Sequence, residues 1–382
     1  MGDDEFQNRA IELAARGLGH TRSNPLVGAC LVRDGNIIAE GFHRAYGEQH
    51  AEVDLLSSIE DIPSDSTLYL TLEPCVKHGK TGPCLNRLVE SGIRNYVILS
   101  RDNSSSASGA GLEALKRLGY SVEEPETPGS YRWLNRHFFH GADTGLPWVD
   151  LKLAMTADGY IATPTGESQW ITGQESRGCG HRLRSQVDGV LVGGGTLRSD
   201  NPRLTDRTTG RDRQPEAIGV VRSSDGLSLS AHLFDERPDK TILVVPPTFS
   251  TGLADRLEKR GVTIMVADLY NGEFDWRQVL VRLRKKSLGR LLVEGGSMTA
   301  GSLLRAGLVN ELHLFYSGRI FGSGIPAVGM EPDDFSVEDA SEGQLIHQQA
   351  FGNDLYVRRF LPENTPRNDL REINFDRLDL SV

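Results

Sequence analysis

The strongest constraint on the fold is the alternation of short apolar runs with amphipathic stretches along most of the chain. Runs such as residues 67–72 and 95–100 have strand character, and segments with helical spacing of apolar residues lie between such runs. Strands that alternate with helices favour a layered α/β fold. Two further strand-like runs meet at Asp34-Gly35, and this dipeptide is a strong hairpin signal.

The alternation restarts in the middle of the chain, which indicates two domains. A length of 382 residues exceeds what one hydrophobic core usually organises. The glycine- and proline-bearing stretch 141–147 interrupts the series, and a new strand begins at Trp148. We therefore predict α/β domains at 1–145 and 146–361, followed by a polar C-terminal tail at 362–382.

Charge and composition exclude several classes of partner. A formal net charge of -10 argues against a nucleic-acid partner, because binding to a phosphate backbone needs clustered lysines and arginines. A small phosphorylated substrate remains compatible, since a few arginines can hold one phosphate. No apolar run is long enough to cross a bilayer, and the acidic N-terminus has no secretory h-region. We expect a cytoplasmic protein with no membrane partner.

His50, Glu52, Cys75 and Cys84 form the pattern with the clearest chemistry. Catalytic zinc is commonly held by three protein ligands, and the fourth position is left for water. His-x-Glu followed by a strand and then Pro-Cys is typical of zinc nucleobase deaminases, although eight residues separate the two cysteines here. We predict one Zn²⁺ per chain, held by the histidine and both cysteines. Glu52 would transfer protons between the water and the departing amine.

Other interpretations of these residues stay open. A histidine near a helix start often caps or packs, and a free cysteine is often only buried. His78 could complete a four-ligand structural zinc site. A nucleic-acid-editing deaminase would share the signature, but the acidic balance and the long second half count against it. Cys30 and Cys179 have no comparable neighbours, and we interpret both as packing residues.

The second half contains a strand that runs into the glycines Gly295 and Gly296, directly before a predicted helix. Glycines at such a turn let backbone N–H groups approach a pyrophosphate. The G-x-G-x-x-G fingerprint of dinucleotide-binding folds is absent. The residues alone leave two interpretations, a phosphate-binding loop and an ordinary strand–helix turn.

Several segments carry a resemblance to a known family. "TRSNPLVGACLVRDGNIIAEGFHRAYGEQHAE" and "TLEPCVKHGKTGPC" resemble the deaminase domain of the bifunctional riboflavin-biosynthesis family, a pyrimidine deaminase fused to a reductase. "LKLAMTADGYIATPTGESQWITG", "LRSQVDGVLVGGGTLRSDNPRLTDR" and "LLVEGGSMTAGSLLRAG" resemble its NADPH-dependent reductase domain. The resemblance covers residues from about 9 to about 360 in the same domain order.

The resemblance implies both a fold and a pair of reactions. The fold is an N-terminal cytidine-deaminase-like three-layer domain followed by a C-terminal dihydrofolate-reductase-like domain. The first reaction is zinc-dependent hydrolytic deamination of 2,5-diamino-6-(5-phosphoribosylamino)pyrimidin-4-one. In the second, NADPH reduces the ribosyl group to ribityl. The implied partner is thus a small phosphorylated ribosylaminopyrimidine, and α/β enzymes of this size often form homo-oligomers.

The resemblance also assigns roles by position. It implies that the cofactor is lined by Ala154, Trp170, Thr196, Asp200, Gly295 and Gly296. It implies that the substrate is held by Asn24, Ser168, Arg184, Leu204, Arg207 and Glu294. A guanidinium suits a phosphate because it offers a bidentate fork, although most single arginines are solvated surface charges. Asn24 is equally well explained as a turn residue before proline, and Asp200 as a helix cap.

The chain departs from the family pattern at several positions. Lys77 stands where the family usually has histidine, and Arg222 stands where aspartate is usual. "NSSSAS" replaces a proline-containing motif after Asp102, and Asn310 and Ser317-Gly318 replace the usual Asp and Ala-Pro. None of these changes removes a predicted zinc ligand. They leave an alternative function, a specialised paralogue that applies the same chemistry to a related pyrimidine or purine in another pathway.

Overall fold

The computed structural model describes residues 3–76, 82–103, 108–207, 210, 213–329 and 342–364. Their contacts divide the chain into two compact units, residues 3–145 and 146–364. No helix within these ranges combines the length and the apolar character needed to span a bilayer.

The first unit is built on a five-stranded sheet in the order β2-β1-β3-β4-β5. Its strands are β1 (Gly28–Arg33), β2 (Asn36–Phe42), β3 (Thr67–Leu70), β4 (Asn95–Ile98) and β5 (Ser121–Glu123). Its helices are α1 (Asp3–Ala15), α2 (Ala51–Leu56), α3 (Cys84–Ser91), α4 (Ala110–Arg117), α5 (Gly129–Leu134) and α6 (Arg136–Thr144). The antiparallel β1–β2 hairpin predicted at Asp34-Gly35 is confirmed, and both turn residues have positive φ.

Alternating side chains of the strands divide this unit into three layers. Leu31 and Leu68 point into one core, which α2, α3 and α4 cover. Val32 and Tyr69 point into the opposite core, which α1, α5 and α6 cover. Cys30 lies in this second core, fully buried, as expected of a packing residue. Because α2 and α3 share one face, the residues that begin them lie close together.

Sequence analysis placed no helix in residues 129–144, but the structure has two there. The chain bends between α5 and α6 at Asn135, whose buried amide is hydrogen-bonded to both the N–H and the C=O of Leu26. Arg136, His137 and His140 are all buried in α6. Buried polar residues interrupt the apolar stripe, so periodicity does not predict this helix pair.

The second unit has a nine-stranded sheet in the order β11-β10-β9-β8-β14-β6-β15-β18-β17. The strands of the whole unit are β6 (Trp148–Met155), β7 (Tyr160–Ala162), β8 (Gly189–Gly193), β9 (Glu216–Val220), β10 (Thr241–Val245), β11 (Thr263–Val266), β12 (Leu269–Tyr270), β13 (Glu273–Phe274), β14 (Arg290–Glu294), β15 (Glu311–Tyr316), β16 (Ile325–Pro326), β17 (Gln344–Phe351) and β18 (Asp354–Phe360). Two small pairs, β12–β13 and β7–β16, lie outside the nine-stranded sheet. Its helices are α7 (Gln174–Ser185), α8 (Gly194–Asp200), α9 (His232–Asp235), α10 (Thr251–Glu258), α11 (Trp276–Lys285) and α12 (Ser297–Arg305). In this sheet order, the first seven strands, from β11 through to β15, run parallel to one another, and β18 pairs antiparallel with both β15 and β17.

Helices cover both faces of this sheet, as the near-continuous apolar strands predict. α11 and α12 pack on one face, and α7 to α10 pack on the other, where Cys179 is fully buried. The carboxyl ends of β6, β8 and β14 meet at one edge, the usual place for a ligand site in a parallel sheet. Residues 362–364 of the predicted tail form a 3₁₀ turn whose Asn364 bonds to Asn310. The rest of the tail lies outside the described residues.

Candidate active sites

His50, Cys75 and Cys84 converge in the first unit. His50 directly precedes α2, and Cys84 is the first residue of α3. The Nδ1 atom of His50 lies 3.0 Å from the Sγ atom of Cys84 and 3.7 Å from that of Cys75. All three ligand atoms lie within 4.8 Å of one another. Nitrogen and sulfur ligands of one tetrahedral zinc ion would be about 3.6 Å apart, so this donor set fits that metal.

The two thiols interact strongly with each other. Hydrogen bonds from the Cys84 thiol and from His50, together with the N–H of Cys84 at 3.3 Å, lower the pKa of Cys75 to about 4. The Cys75 sulfur and burial raise the pKa of Cys84, and the bond to Cys75 raises the pKa of His50. The protein alone therefore stabilises one thiolate, and a divalent cation would compensate the second.

Glu52 adjoins this cluster without belonging to it. It is the second residue of α2, and only 3% of its surface is exposed. Burial raises the pKa of Glu52 to about 7, against the opposing effect of His50. A carboxyl group that is close to the ligands and shielded from solvent is placed to exchange protons with a molecule bound there.

Asn24 lies on the same side of the unit, where it contacts a histidine that sequence reasoning did not select. The Nδ1 of His43 donates to the Gln49 carbonyl at 2.9 Å, so Nε2 accepts from the Asn24 amide at 3.3 Å. The His43 ring also meets the His50 ring edge-on, with centroids 5.5 Å apart. No local motif marks His43, and only these contacts reveal it. His78 and Lys77 lie outside the described residues.

The second unit holds another group of potential ligands, Asp150, Glu311 and His313. All three are buried at the amino ends of the parallel strands. The carboxylates are already neutralised, because Arg290 pairs with Asp150 at 2.6 Å and Arg358 pairs with Glu311. We therefore interpret this group as a structural ion network.

A cavity of about 850 Å³ opens at the carboxyl edge of the second sheet. Ten of the predicted residues line it, namely Ala154, Ser168, Trp170, Arg184, Thr196, Asp200, Leu204, Glu294, Gly295 and Gly296. Arg207 is exposed and does not line the cavity. Its contact with a substrate therefore stays a prediction.

Two glycine loops form one wall of this cavity. Gly193 leads into α8, and Gly295 and Gly296, with φ of 72° and 82°, lead into α12. A Cβ atom on Gly193 would come within 2.3 Å of the Thr299 hydroxyl. Only glycine fits these positions, and the exposed backbone can approach a phosphate closely.

A fixed ion pair spans the same cavity. Arg184 donates from Nε and Nη2 to the two carboxylate oxygens of Glu294, at 2.5 and 2.9 Å. Lys152 lies 4.0 Å from the same carboxylate, and burial lowers the pKa of this lysine. Burial opposes the ionisation of Glu294, but Arg184 outweighs it and brings the pKa to about 2.

Sequence reasoning missed several charged or polar residues of the lining. Lys152 had a detectable signal, since it is a charged residue within the apolar strand β6. The others gave none, because each lies at an ordinary polar position of a helix or just after a strand. The missed residues include Lys152, Arg177, Arg198, Arg222 and Thr299.

Family models match both halves of the chain. Residues 1–100 match the cytidine and deoxycytidylate deaminase zinc-binding region, and residues 147–357 match the RibD C-terminal domain. These two matches fall on the unit with the His50 cluster and on the unit with the cavity. They confirm the predicted α/β fold of a cytidine-deaminase-like domain followed by a reductase domain.

Whole-chain relatives agree with these matches. The riboflavin biosynthesis protein RibD of Actinobacillus pleuropneumoniae is 36% identical over 84% of this chain and 85% of its own length. The RibD protein of Aquifex aeolicus is 34% identical over 93% of this chain and 97% of its own length. The solved structure of Acinetobacter baumannii RibD has a TM-score of 0.84 at 28% identity, covering 94% of this chain and 98% of that one.

A second solved structure carries a descriptive name. It is a diaminohydroxyphosphoribosylaminopyrimidine deaminase/5-amino-6-(5-phosphoribosylamino)uracil reductase from Thermotoga maritima. Its TM-score is 0.80 at 32% identity, and the match covers 94% of this chain and 98% of that chain. The zinc-binding deaminase region and the reductase domain thus occur here in one chain that spans most of the length of its relatives. The chain belongs to the RibD family, the bifunctional deaminase/reductases of riboflavin biosynthesis.

Proposed function

We propose that the first unit binds one zinc ion through His50, Cys75 and Cys84 and deaminates 2,5-diamino-6-(5-phosphoribosylamino)pyrimidin-4-one. We propose that the second unit then reduces the ribosyl group of the product with NADPH. The observation that carries the proposal is the convergence of three ligand atoms within 4.8 Å beside the buried Glu52. The cavity with its two glycine loops supports the second reaction.

Zinc in this site would lower the pKa of a bound water, so that hydroxide is available near neutral pH. Glu52 accepts the proton of that water and passes it to the departing amino group, which leaves as ammonia while a C–O bond replaces the C–N bond. Asn24, held by His43, orients the pyrimidine ring at this position. Burial of Glu52 excludes bulk solvent from the proton transfer.

NADPH would supply hydride to C1 of the opened ribose in the second unit. The loops at Gly193 and at Gly295-Gly296 admit the cofactor phosphates to the backbone. Arg184, fixed by Glu294 and by the Thr205 carbonyl at 3.0 Å, presents a positive charge to the substrate. Asp200 lines the cavity and offers a negative charge to a cationic imine.

The test compares the purified protein with its Glu52→Gln variant. The wild type is expected to release ammonia from the diaminopyrimidine and then to oxidise NADPH. The variant should lose ammonia release by roughly 100-fold or more, because general acid–base catalysis contributes about that much. Its zinc content should be unchanged, since Glu52 is not a ligand. The matched control is Glu48→Gln, which changes an exposed glutamate nearby.

Two results would contradict the proposal. A wild type that contains zinc but neither releases ammonia nor oxidises NADPH with this intermediate would favour the alternative of a paralogue with another substrate. A Glu52→Gln variant that deaminates normally would remove Glu52 from the mechanism. With the deaminated pyrimidine as substrate, the variant should still oxidise NADPH. The cytoplasmic location and self-association stay predictions.

A further inference from the structure

The loop of residues 168–172 forms part of the wall of the large cavity in the second unit. It carries Ser168 and Trp170, and all of its residues line the cavity. Within the described part of the chain, this loop has a single hydrogen bond, from Nη1 of Arg177 to the Thr172 carbonyl at 2.6 Å. The position of the loop is therefore set mainly by the segments at its two ends.

The segment before the loop is a compact turn of residues 163–167. The N–H of Gly166 donates to the Thr163 carbonyl, and the N–H of Thr163 donates to the Glu167 carbonyl, both at 2.9 Å. The N–H of Glu167 also donates to the Thr163 hydroxyl at 3.1 Å. These contacts are all local and fix only the turn itself. The other end of the loop therefore decides how the loop faces the cavity.

Asp354 holds that other end, although it lies 181 positions further along the chain. One of its carboxylate oxygens, Oδ2, accepts the N–H of Gly173 at 2.7 Å and the hydroxyl of Ser176 at 2.6 Å. Gly173 is the N-cap residue of α7, and a glycine has no side chain to accept from the free N–H groups of the first turn. Asp354 supplies the missing cap, and its negative charge also interacts favourably with the helix dipole.

The surroundings of Asp354 make it a firm support. It is the first residue of β18, which pairs with β15 on one side and with β17 on the other. Asp354 is 7% exposed and Ser176 is 2% exposed, so their hydrogen bond is shielded from water and strengthened. Asp354 is not among the residues that line the cavity, so any effect on a ligand must pass through α7.

The first turn of α7 connects this support to the loop. Arg177 directly follows Ser176, and its backbone N–H donates to the Gly173 carbonyl at 3.2 Å. Its guanidinium lies 4.6 Å from the centroid of the Trp170 ring, a cation–π contact. The same guanidinium donates to the Thr172 carbonyl. A shift at the start of α7 would thus move Arg177, and with it the Trp170 side chain.

We propose that Asp354 is a positioning residue for the reductase cavity. By capping α7 it holds Arg177 against Trp170 and orders the loop of residues 168–172 before a ligand binds. The inference rests on the proposed use of this cavity for reduction and deepens it, because it names a residue outside the cavity on which binding inside it depends. Without this support the loop would have to be ordered when the ligand arrives, and that entropy cost weakens binding.

Steady-state kinetics of the full-length protein provide the first test. Asp354→Asn keeps the size of the side chain and removes its charge. We expect the KM values for NADPH and for the deaminated pyrimidine to rise by about tenfold, as loss of a charge-assisted hydrogen bond predicts, while kcat changes little. Ser176→Ala removes one of the two donors and should have a smaller effect in the same direction. Asp255→Asn, an exposed aspartate of α10 outside the cavity, is the matched control and should change nothing.

Time-resolved fluorescence anisotropy provides the second test and needs no ligand. Trp170 is 64% exposed, and the other tryptophans are all buried, namely Trp133, Trp148 and Trp276. Asp354→Asn should increase the amplitude of nanosecond depolarisation, because loop motions occur on this timescale. The added substitution Trp170→Phe should remove the increase, which would assign it to the loop. Asp255→Asn should give the wild-type decay.

The outcomes separate this inference from the proposed function. If Asp354→Asn lowers the melting temperature but leaves both KM values and the anisotropy decay unchanged, Asp354 is only a structural cap and the inference is overturned. It is equally overturned if kcat falls while both KM values and the decay stay at wild-type levels. If Asp354→Asn does not fold, Ser176→Ala decides by the same criteria. A wild type that oxidises no NADPH overturns the reductase proposal, and the anisotropy decays still decide whether Asp354 orders the loop.

Discussion

The guanidinium of Arg184 and the carboxylate of Glu294 form a two-fold hydrogen-bonded ion pair inside the cavity of the second unit. The residues are 110 positions apart, one near the end of α7 and the other at the end of β14. Side-chain exposures of 14% and 12% shield the pair from solvent. It therefore sets the orientation of both groups before any ligand arrives.

This pair predicts a specific dependence of stability on pH. Glu294 has a folded pKa of about 2 against an ordinary value of 4.5, so its stabilising contribution is complete above about pH 4.5 and is lost as the pH falls toward 2. The shift corresponds to on the order of 3 kcal/mol. The free energy of unfolding of the Glu294→Gln variant should therefore fall less between pH 4.5 and pH 2 than that of the wild type. Urea unfolding of both proteins between pH 5 and pH 2.5 measures the difference.

A matched change provides the control for this measurement. Glu258 is an exposed glutamate in α10, and Glu258→Gln should keep the wild-type pH profile. If the free energies of unfolding of the wild type and Glu294→Gln fell by equal amounts with pH, the ion pair would contribute no pH-dependent stability.

Removal of zinc should separate the two activities. Treatment with a chelator is expected to abolish ammonia release, because His50, Cys75 and Cys84 can no longer hold the metal that activates water. NADPH oxidation with the deaminated pyrimidine should persist, since none of these ligands lines the reductase cavity. Metal analysis and both assays on one preparation provide the measurement. Recovery of deamination on adding Zn²⁺ is the control, and deamination by the metal-free protein would refute the assignment.

Glu73, two residues before Cys75, should be essential for the stability of the first unit. Its carboxylate is 6% exposed and accepts four backbone N–H groups around the start of α4. Glu73→Ala would leave these donors without an acceptor, and we expect the free energy of unfolding to fall by about 3 kcal/mol or more. The donors are Asp102 at 2.7 Å, Gly109 at 2.7 Å, Gly111 at 2.9 Å and Leu112 at 3.3 Å.

Chemical denaturation of the first unit measures this effect. Glu73→Gln should be less destabilising than Glu73→Ala, because its amide oxygen can still accept. Glu60→Ala, at an exposed position, should stay within about 0.5 kcal/mol of the wild type. Equal stabilities for Glu73→Ala and Glu60→Ala would contradict the role of this carboxylate.

The buried ion network of the second unit predicts that stability depends on the positive charge of Arg290. Arg290 is 4% exposed and donates to Asp150, which is 1% exposed, at 2.6 Å. Arg290→Ala removes the cation that compensates this carboxylate, and we expect a loss of about 3–5 kcal/mol. Thermal and urea unfolding provide the measurement. Arg256→Ala at an exposed site should cost almost nothing, and similar losses for the two variants would argue against the network.

The residues of the proposed zinc site could be selected from the sequence because their signals are local. His50 and Glu52 are two residues apart, and each cysteine follows a proline at the boundary of an element. Such spacing depends on backbone geometry within a few residues. The distances between the three ligand atoms nevertheless come from the packing of α2 and α3 on one face of the sheet.

The prediction of the residues that line the reductase cavity depended more on the family resemblance than on the chemistry of the residues themselves. A Gly-Gly turn after a strand indicated only a backbone exposed to a ligand. Ten of the predicted residues line the cavity, yet exposed Arg207 does not, while Lys152 and Arg222 do. Lys152 is marked only as a charge within an apolar strand, and Arg222 carries no sign in the sequence of which surface it will face.

The sequence by itself determined the alternating strands and helices, the Asp34-Gly35 hairpin and the residue types of the proposed metal site, because periodicity and turn chemistry act over short separations. Only the tertiary structure decided which distant side chains meet. Asn135 holds Leu26 across 109 residues, and Arg222 joins Tyr270 and Arg305 in one pocket. Such contacts depend on how sheets and helices pack, and no local pattern of residues specifies that packing.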